Sequence, residues 1–290
     1  MALSQMMQHY LSVKEKYPDA VLFYRLGDFY EMFFDDAVKV SAILDLTLTG
    51  RDCGLEERAP MCGVPFHAAD GYIAKLVAAG EKVAICEQLT EPKPGKGLVE
   101  RDVIRVVSAG TLTDETMLDE KTNNYIACVY KDGDRSAVAW TDITTGEFCA
   151  QEFAGAKAIE EIVGHLLKIG AVEIICNDDM LLAAKDLKEV RHNLLPPFSC
   201  YVPWAFNVKH AEKNLLVQLG AASLAAYGIA AKDGVISAAG ALVEYLRETQ
   251  KHALSNLSTI KLINKDRYMV LDSIAVRNLE LVRSNSENKK

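Results

Sequence analysis

An aromatic residue and a carboxylate stand two positions apart near the start of the chain, at Phe29 and Glu31. A Gly-Asp pair precedes them, so residues 29–33 are predicted to return as a strand after the apolar strand 20–26. In a strand the two side chains share a face, whereas in a helix they diverge by about 200°. On one face, the ring can wedge between stacked bases while the carboxyl group hydrogen-bonds a base edge. The alternative is that Phe29 belongs to the core and Glu31 is a solvated neighbour.

The sequence lacks the motifs of several common chemistries. It has no G-x-x-x-x-G-K-[ST] nucleotide loop, since Gly95-Lys96-Gly97 lacks both the spacing and the hydroxyl, and it has no G-x-S-x-G elbow. The 6 histidines show no H-x-x-x-H or paired Cys/His spacing, so we predict no metal site. The 7 cysteines are scattered without a C-x-x-C pair, which indicates buried thiols in a reducing compartment.

Composition and charge narrow the class of protein. The chain has 290 residues, 50% hydrophobic and 25% charged, which is typical of a globular protein of about two domains and excludes a disordered chain, a collagen-like repeat and a disulfide miniprotein. With 32 basic and 40 acidic side chains, the net charge of -8 argues against bulk coating of nucleic acid, but not against contact at a few points. The sequence shows neither a signal peptide nor an apolar run of about 18 residues, so we predict a cytoplasmic protein without a membrane span.

The first domain is predicted to cover residues 1–110 as a mixed α/β fold. Apolar periodicity predicts a helix over 2–16, a helix over 37–46 capped by Asp35 and Asp36, and a helix over 69–79 ended by Gly80. Strands are predicted over 82–86 and 103–107, in addition to the two described above. Residues 111–122 are polar and aperiodic and are predicted to be a linker.

The second domain is predicted to cover residues 123–250. Three strands come first, over 125–130, 136–141 and 146–153, with a hairpin turn between the first two. Helices and strands then alternate, which is typical of an α/β layer domain; the predicted helices are 158–169, 178–188, 208–220 and 235–250, and the fourth strand is 172–176. Residues 251–290 are predicted to begin a further, helical domain that is truncated here.

Long motifs, in order along most of the chain, resemble the MutS family of DNA mismatch-repair proteins. The motifs are residues 23–33 (FYRLGDFYEMF), 60–67 (PMCGVPFH), 84–88 (AICEQ), 99–101 (VER), 106–111 (VVSAGT), 141–148 (TDITTGEF), 269–272 (MVLD) and 277–281 (RNLEL). The resemblance implies a mismatch-recognition domain followed by a connector domain of ribonuclease-H-like fold, and then the start of a helical core domain.

The resemblance also implies the roles of particular residues in binding mismatched double-stranded DNA. Phe29 would stack on the mispaired base from the minor groove, and Glu31 would hydrogen-bond that base. Further DNA-contacting residues are implied in the neighbouring loop, at a basic position and in a more variable stretch: Met61, Gly63 and Pro65, then Arg51, then Lys93, Lys96 and Arg101.

Partners and cofactors follow from the same resemblance. In the family, the connector relays to an ATPase and helps to receive a MutL-type matchmaker protein, and we expect that contact on the helix around Lys213 and Asn214. The full-length family acts as a homodimer, and its ATP and magnesium bind in a part of the protein that lies beyond this chain. We therefore expect this chain to be an N-terminal portion that binds DNA and has neither a cofactor nor a catalytic residue of its own.

Two alternatives stay open. Ribonuclease-H-like folds often carry carboxylates on two metal ions, and Asp132, Asp134 and Asp142 lie near the early strands, so a metal-dependent nuclease is one alternative. The same residues also read as turn residues beside glycines. The other alternative is an interaction module that contacts DNA only in a full-length dimer.

Overall fold

The computed structural model describes residues 3–54, 56–90, 99–112, 122–185, 187–188, 192–251 and 254–264. The chain divides into two compact units. The first is built from the described part of Met1–Ile126, with Ile143–Thr145 and Tyr245–Ser255; the second is built from Ala127–Asp142, Gly146–Glu244 and the described residues from 256 onward.

The first unit contains a mixed sheet of six strands in the order β3-β4-β2-β1-β5-β6. The strands are β1 (Ala20–Leu26), β2 (Phe29–Phe33), β3 (Thr49–Arg51), β4 (Ala59–Pro65), β5 (Lys82–Gln88) and β6 (Arg101–Val107). β1 pairs parallel with β5 and antiparallel with β2. The tight turn between β1 and β2 requires a positive φ of 60° at Gly27, which a glycine adopts without strain.

Helices cover both faces of this sheet. They are α1 (Gln5–Lys14), α2 (Phe34–Leu44) and α3 (Ala69–Ala78). On one face, α2 and α3 pack with alternate residues of the strands, including Phe23, Tyr30 and Met32. On the other face, α1 packs with the intervening residues, including Leu22, Tyr24 and Phe33. The period of two along β1 and β2 thus divides one sheet between two cores.

Asp36 joins three elements of the first unit. The sequence predicts that it caps α2, but the structure shows that it does not. Its buried carboxylate accepts hydrogen bonds from the Leu22 backbone N–H at 3.0 Å and from the Tyr10 hydroxyl at 3.4 Å. It also forms an ion pair with Lys14 at 2.9 Å. The prediction of a cap was wrong because Asp36 lies within the first turn of α2 and faces β1 and α1.

The second unit contains another mixed sheet of six strands, in the order β11-β10-β7-β8-β9-β12. The strands are β7 (Ile126–Asp132), β8 (Arg135–Asp142), β9 (Glu147–Ala154), β10 (Glu173–Cys176), β11 (Phe198–Cys200) and β12 (Lys261–Leu262). β8 and β9 pair antiparallel, whereas β10 and β11 pair parallel. The helices are α4 (Ala158–Ile169), α5 (Asp178–Ala184), α6 (Val208–Leu219) and α7 (Asp233–Gln250), of which α7 belongs to this unit up to Glu244.

The prediction of an α/β chain with two mixed-sheet portions is confirmed. Two predicted borders differ from the structure. Thr111, predicted to begin the linker, is fully buried and closes a capping box with Ser108, while Leu112 packs on the first core. β12 pairs with β9, so part of the segment predicted as a helical core adds a strand to the second sheet. The remainder of the predicted linker and core segment, residues 113–121 and 265–290, lies outside the described residues.

The predictions for the cysteines and for membrane spans can also be compared with the structure. All seven cysteines are free, and six are buried as predicted, whereas Cys200 is exposed. Burial raises the pKa of the Cys86 thiol to about 12. None of the helices among the described residues has both the length and the apolarity needed to cross a membrane.

Candidate nucleic-acid interface

Phe29 and Glu31 lie on one face of β2, as the period of two predicts. Between them, Tyr30 points to the opposite face and is buried in the core under α2 and α3. Phe33, on the same face as Phe29, packs edge to face on Tyr10 of α1, with 5.0 Å between ring centroids. The ring of Phe29 is 47% exposed, because it stands at the end of β2 away from this contact. One face of β2 is therefore covered at Phe33 and open at Phe29.

β4 borders the open end of β2. Antiparallel pairing sets Phe29 opposite Pro65, Glu31 opposite Gly63 and Phe33 opposite Met61. A Cβ atom at Gly63 would lie 3.2 Å from the Tyr30 carbonyl oxygen and 3.5 Å from Cγ of Glu31. A glycine at this position therefore leaves room for the Glu31 side chain to lie over β4. We call Phe29, Glu31, Gly63, Pro65 and Arg51 the recognition strip.

Arg51, the last residue of β3, reaches the same carboxylate. Its Nη1 donates a hydrogen bond to Oε2 of Glu31, which makes an ion pair between side chains that are 38% and 14% exposed, respectively. Within the described part of the chain, Oε1 of Glu31 accepts no hydrogen bond. The structure thus brings together five of the residues implied as DNA contacts, and it adds an ion pair that the sequence did not predict.

The side chain of Arg101 contacts other residues of the first unit. Its Nε donates to the Arg25 carbonyl and its Nη1 to the Val99 carbonyl, each at 2.9 Å. Its guanidinium lies over the ring of Tyr24 at 5.3 Å, and Tyr24 is the β1 residue paired with Glu31. Burial raises the pKa of Tyr24 to about 12, against an opposing effect of Arg101.

Sequence reasoning missed Tyr24 and β4, which the sheet pairing places beside Glu31, and it missed β3, which pairs with the outer edge of β4. A further contact absent from the sequence analysis is His9 Nδ1 to the Tyr24 hydroxyl, at 2.8 Å. Burial, followed by Arg101 and Lys16, lowers the pKa of His9. The predicted contacts Lys93 and Lys96 lie outside the described residues.

The two residues predicted to meet a partner protein differ in accessibility. Lys213 is exposed on α6. Asn214 is buried, and its amide donates to Glu244 of α7 and contacts Nε2 of His210 at 3.1 Å. The expectation that Asn214 faces a partner is therefore not supported, because its side chain joins α6 to α7.

Of the carboxylates considered for a nuclease, two lie at the turn before β8 and the third lies at the far end of β8. Asp132 and Asp134 flank the turn that leads into β8, whereas Asp142 is the buried last residue of β8. Eight steps of about 3.3 Å place Asp134 roughly 26 Å from Asp142, far beyond the separation of about 4 Å between the ions of a two-metal site. These three residues therefore cannot share such a site. The described ranges contain no group of three or more His, Cys, Asp or Glu side chains arranged to hold a metal ion.

Comparison with known proteins places both units in one family. The model of MutS domain I matches residues 4–116, and the model of MutS domain II matches residues 124–258. The chain is 45% identical over 291 residues to the DNA mismatch repair protein MutS of Acetivibrio thermocellus, covering 100% of this chain and 33% of that relative. It is 43% identical to the proteins of that name from Caldanaerobacter subterraneus subsp. tengcongensis, covering 100% of this chain and 33% of the relative, and from Clostridioides difficile, covering 99% and 30%. The chain spans about a third of the length of these relatives. Two consecutive domain matches and this identity over the whole chain show that it belongs to the MutS family, of which it carries domains I and II.

Proposed function

We propose that this chain recognises mispaired bases in double-stranded DNA, as part of DNA mismatch repair, through Phe29 and Glu31. The observation that carries this proposal is a half-exposed aromatic ring beside a carboxylate on the open end of a strand. Membership in a family whose curated relatives are named DNA mismatch repair proteins supports the same function.

The strand that presents these side chains is fixed in place. Tyr30 and Met32 are buried on the opposite face, and β2 is paired on both sides, with β1 and with β4. A side chain on such a backbone is already ordered before it meets a ligand, so binding costs little additional conformational entropy. Phe29 is thus suited to enter a base stack as a preformed wedge.

The energies involved favour mispaired sites over paired ones. Stacking of a base on an aromatic ring contributes about 1–3 kcal/mol. Bending a short duplex costs on the order of 1–6 kcal/mol, and the cost depends on how easily the site deforms. The two contributions nearly cancel on paired DNA. A mispair weakens pairing and stacking, so the deformation costs less there and binding becomes favourable.

Glu31 adds discrimination. A carboxylate close to DNA phosphates opposes binding wherever it fails to make a hydrogen bond. A base displaced from its pair offers a polar edge to Oε1, whereas a base in a regular pair keeps its partner. The remaining strip residues, with Met61 and Arg101, would border the duplex beside this contact, and Lys93 and Lys96 stay predictions.

The proposal is tested by fluorescence anisotropy with a duplex containing one G·T mispair and its fully paired control. Salt is kept near 50 mM, because phosphate contacts weaken steeply as the salt concentration rises. We expect tighter binding to the G·T duplex. Equal affinity of the chain for both duplexes would refute mismatch recognition by these residues.

A second candidate is a module that binds DNA only within a longer homodimer. The net charge of -8 favours it, because the chain has no bulk attraction for phosphates. Absence of binding to either duplex, at protein concentrations up to about 100-fold above a micromolar dissociation constant, would support this candidate. ATP and magnesium would then act through other parts of that longer protein.

We also propose that α6 takes part in contact with a MutL-type partner through Lys213. Lys209 and Val217 are exposed on the same helix, and Val217 is 66% exposed. A cysteine introduced at Lys213 should carry a crosslinker to the partner. Leu182, which is 62% exposed on α5, provides the control position. Equal crosslinking from both positions would contradict a specific contact at α6.

A further inference from the structure

The two oxygens of the Glu31 carboxylate are engaged differently. Oε2 accepts a hydrogen bond from Nη1 of Arg51, whereas Oε1 accepts none within the described residues. The Glu31 side chain is 14% exposed and that of Arg51 is 38% exposed, so the carboxylate is the more buried partner of the pair. One carboxylate oxygen is therefore held by the protein, and the other remains available for a ligand.

The ion pair spans a full strand of the sheet. Arg51 belongs to β3 and Glu31 to β2, with β4 between them, and Arg51 is paired with Ala59, four residues along β4 from the partner of Glu31. Two strand spacings and four residues of rise place their backbones roughly 16 Å apart, so two extended side chains are needed to close the pair. Gly63 of β4 stands directly opposite Glu31, where a Cβ atom would lie 3.5 Å from Cγ of Glu31. Three neighbouring strands thus each contribute one feature to the position of this carboxylate.

We propose that Arg51 is a positioning residue for Glu31 and not a phosphate contact. It holds the carboxylate through Oε2, so that Oε1 meets the edge of a displaced base. It also balances the negative charge, which reduces the repulsion between Glu31 and the DNA phosphates. This inference rests on the proposed function and identifies a residue that sets its specificity.

The test compares the ratio of dissociation constants for paired and G·T duplexes among variants of the 290-residue chain. Arg51→Ala should lower this ratio by about threefold to fivefold, which corresponds to the upper range for partly exposed ion pairs. Glu31→Ala should lower it at least as much, and the double variant should lower it no further than Glu31→Ala alone, because Arg51 acts on the base only through Glu31. Arg51→Lys should retain most of the ratio, since an ammonium group can still pair with the carboxylate.

Arg58 provides a matched control. It is an exposed arginine in the segment that joins β3 and β4, so Arg58→Ala removes the same charge close to the strip. The Arg58→Ala variant should have the same ratio of dissociation constants for paired and G·T duplexes as the parent chain. A phosphate contact at Arg51 would instead weaken both duplexes alike and reduce the slope of log affinity against log salt by about 0.9. That result, or multiplicative effects in the double variant, would overturn the positioning role.

A measurement without DNA covers the case in which the chain binds neither duplex. In nitrogen-15 NMR spectra, a guanidinium held by a carboxylate rotates slowly and gives separate Nη signals. Arg51 should show separate signals in the parent and one averaged signal in Glu31→Ala. Averaged signals in the parent would overturn the inference. If Phe29→Ala also leaves the mismatch ratio unchanged, the proposed function fails, whereas loss in Phe29→Ala without loss in Arg51→Ala defeats only this inference.

Discussion

Replacing Phe29 by alanine removes the ring that we propose to stack on the mispaired base. A phenylalanine side chain presents about 200 Å², and 47% of this one is exposed, so a base can cover roughly 90 Å². At about 25 cal/mol per Å², this contact is worth about 2 kcal/mol, within the range of about 1–3 kcal/mol for base–aromatic stacking. Since about 1.4 kcal/mol corresponds to a tenfold change, Phe29→Ala should weaken G·T binding about 30-fold.

The paired duplex provides the internal reference for this prediction. Stacking and deformation nearly cancel on paired DNA, so Phe29→Ala should leave that affinity within about twofold of the parent value. Fluorescence anisotropy on both duplexes gives the two dissociation constants. Trp204→Ala, which removes a 54% exposed aromatic ring from the second unit, should preserve the ratio. Equal weakening on both duplexes by Phe29→Ala would refute the reasoning.

Three further predictions test the site and its support. Gly63→Val should lower the mismatch ratio, because its side chain displaces Glu31, whereas Gly71→Ala, where a Cβ meets nothing within 4 Å, should not. Asp36→Ala should lower the free energy of unfolding in urea by about 2 kcal/mol, since a backbone N–H of β1 loses its acceptor; an unchanged urea midpoint would contradict this. Burial raises the pKa of Cys86 to about 12, so the unfolded chain releases this proton first, and the stability present below about pH 9 should fall as the pH rises toward 12; a urea midpoint independent of pH over this range would contradict it.

The local sequence pattern was sufficient to predict much of the fold. The apolar run of β1 and the turn at Gly27 predicted a hairpin with β2, and the structure has it with the predicted bounds. β4 was missed because Pro60, Gly63 and Pro65 are residues that usually weaken a strand. In this sheet the glycine is opposite Glu31, where the close approach of the side chain favours its presence. The glycine that made β4 difficult to predict is thus the residue that gives the Glu31 side chain its space.

The candidate site was likewise predicted only in part from the sequence. A period of two is enough to place Phe29 and Glu31 on one face, because that relation lies within a single strand. The pairing of Glu31 with Arg51 depends on the order of three strands, which a sequence pattern does not encode. Asn214 illustrates the same limit in a helix: its position is compatible with a surface contact, but packing of α7 against α6 brings Glu244 to its amide.

Insertion of the Phe29 ring at the mispair is the central claim, and a fluorescent base reports on it directly. 2-Aminopurine placed beside a G·T mispair is quenched while it is stacked and becomes bright when the stack opens. The parent chain should increase its fluorescence on the mispaired duplex and leave the paired duplex dark, and Phe29→Ala should abolish the increase. Bound parent chain with unchanged fluorescence, or an equal increase with Phe29→Ala, would contradict the claim.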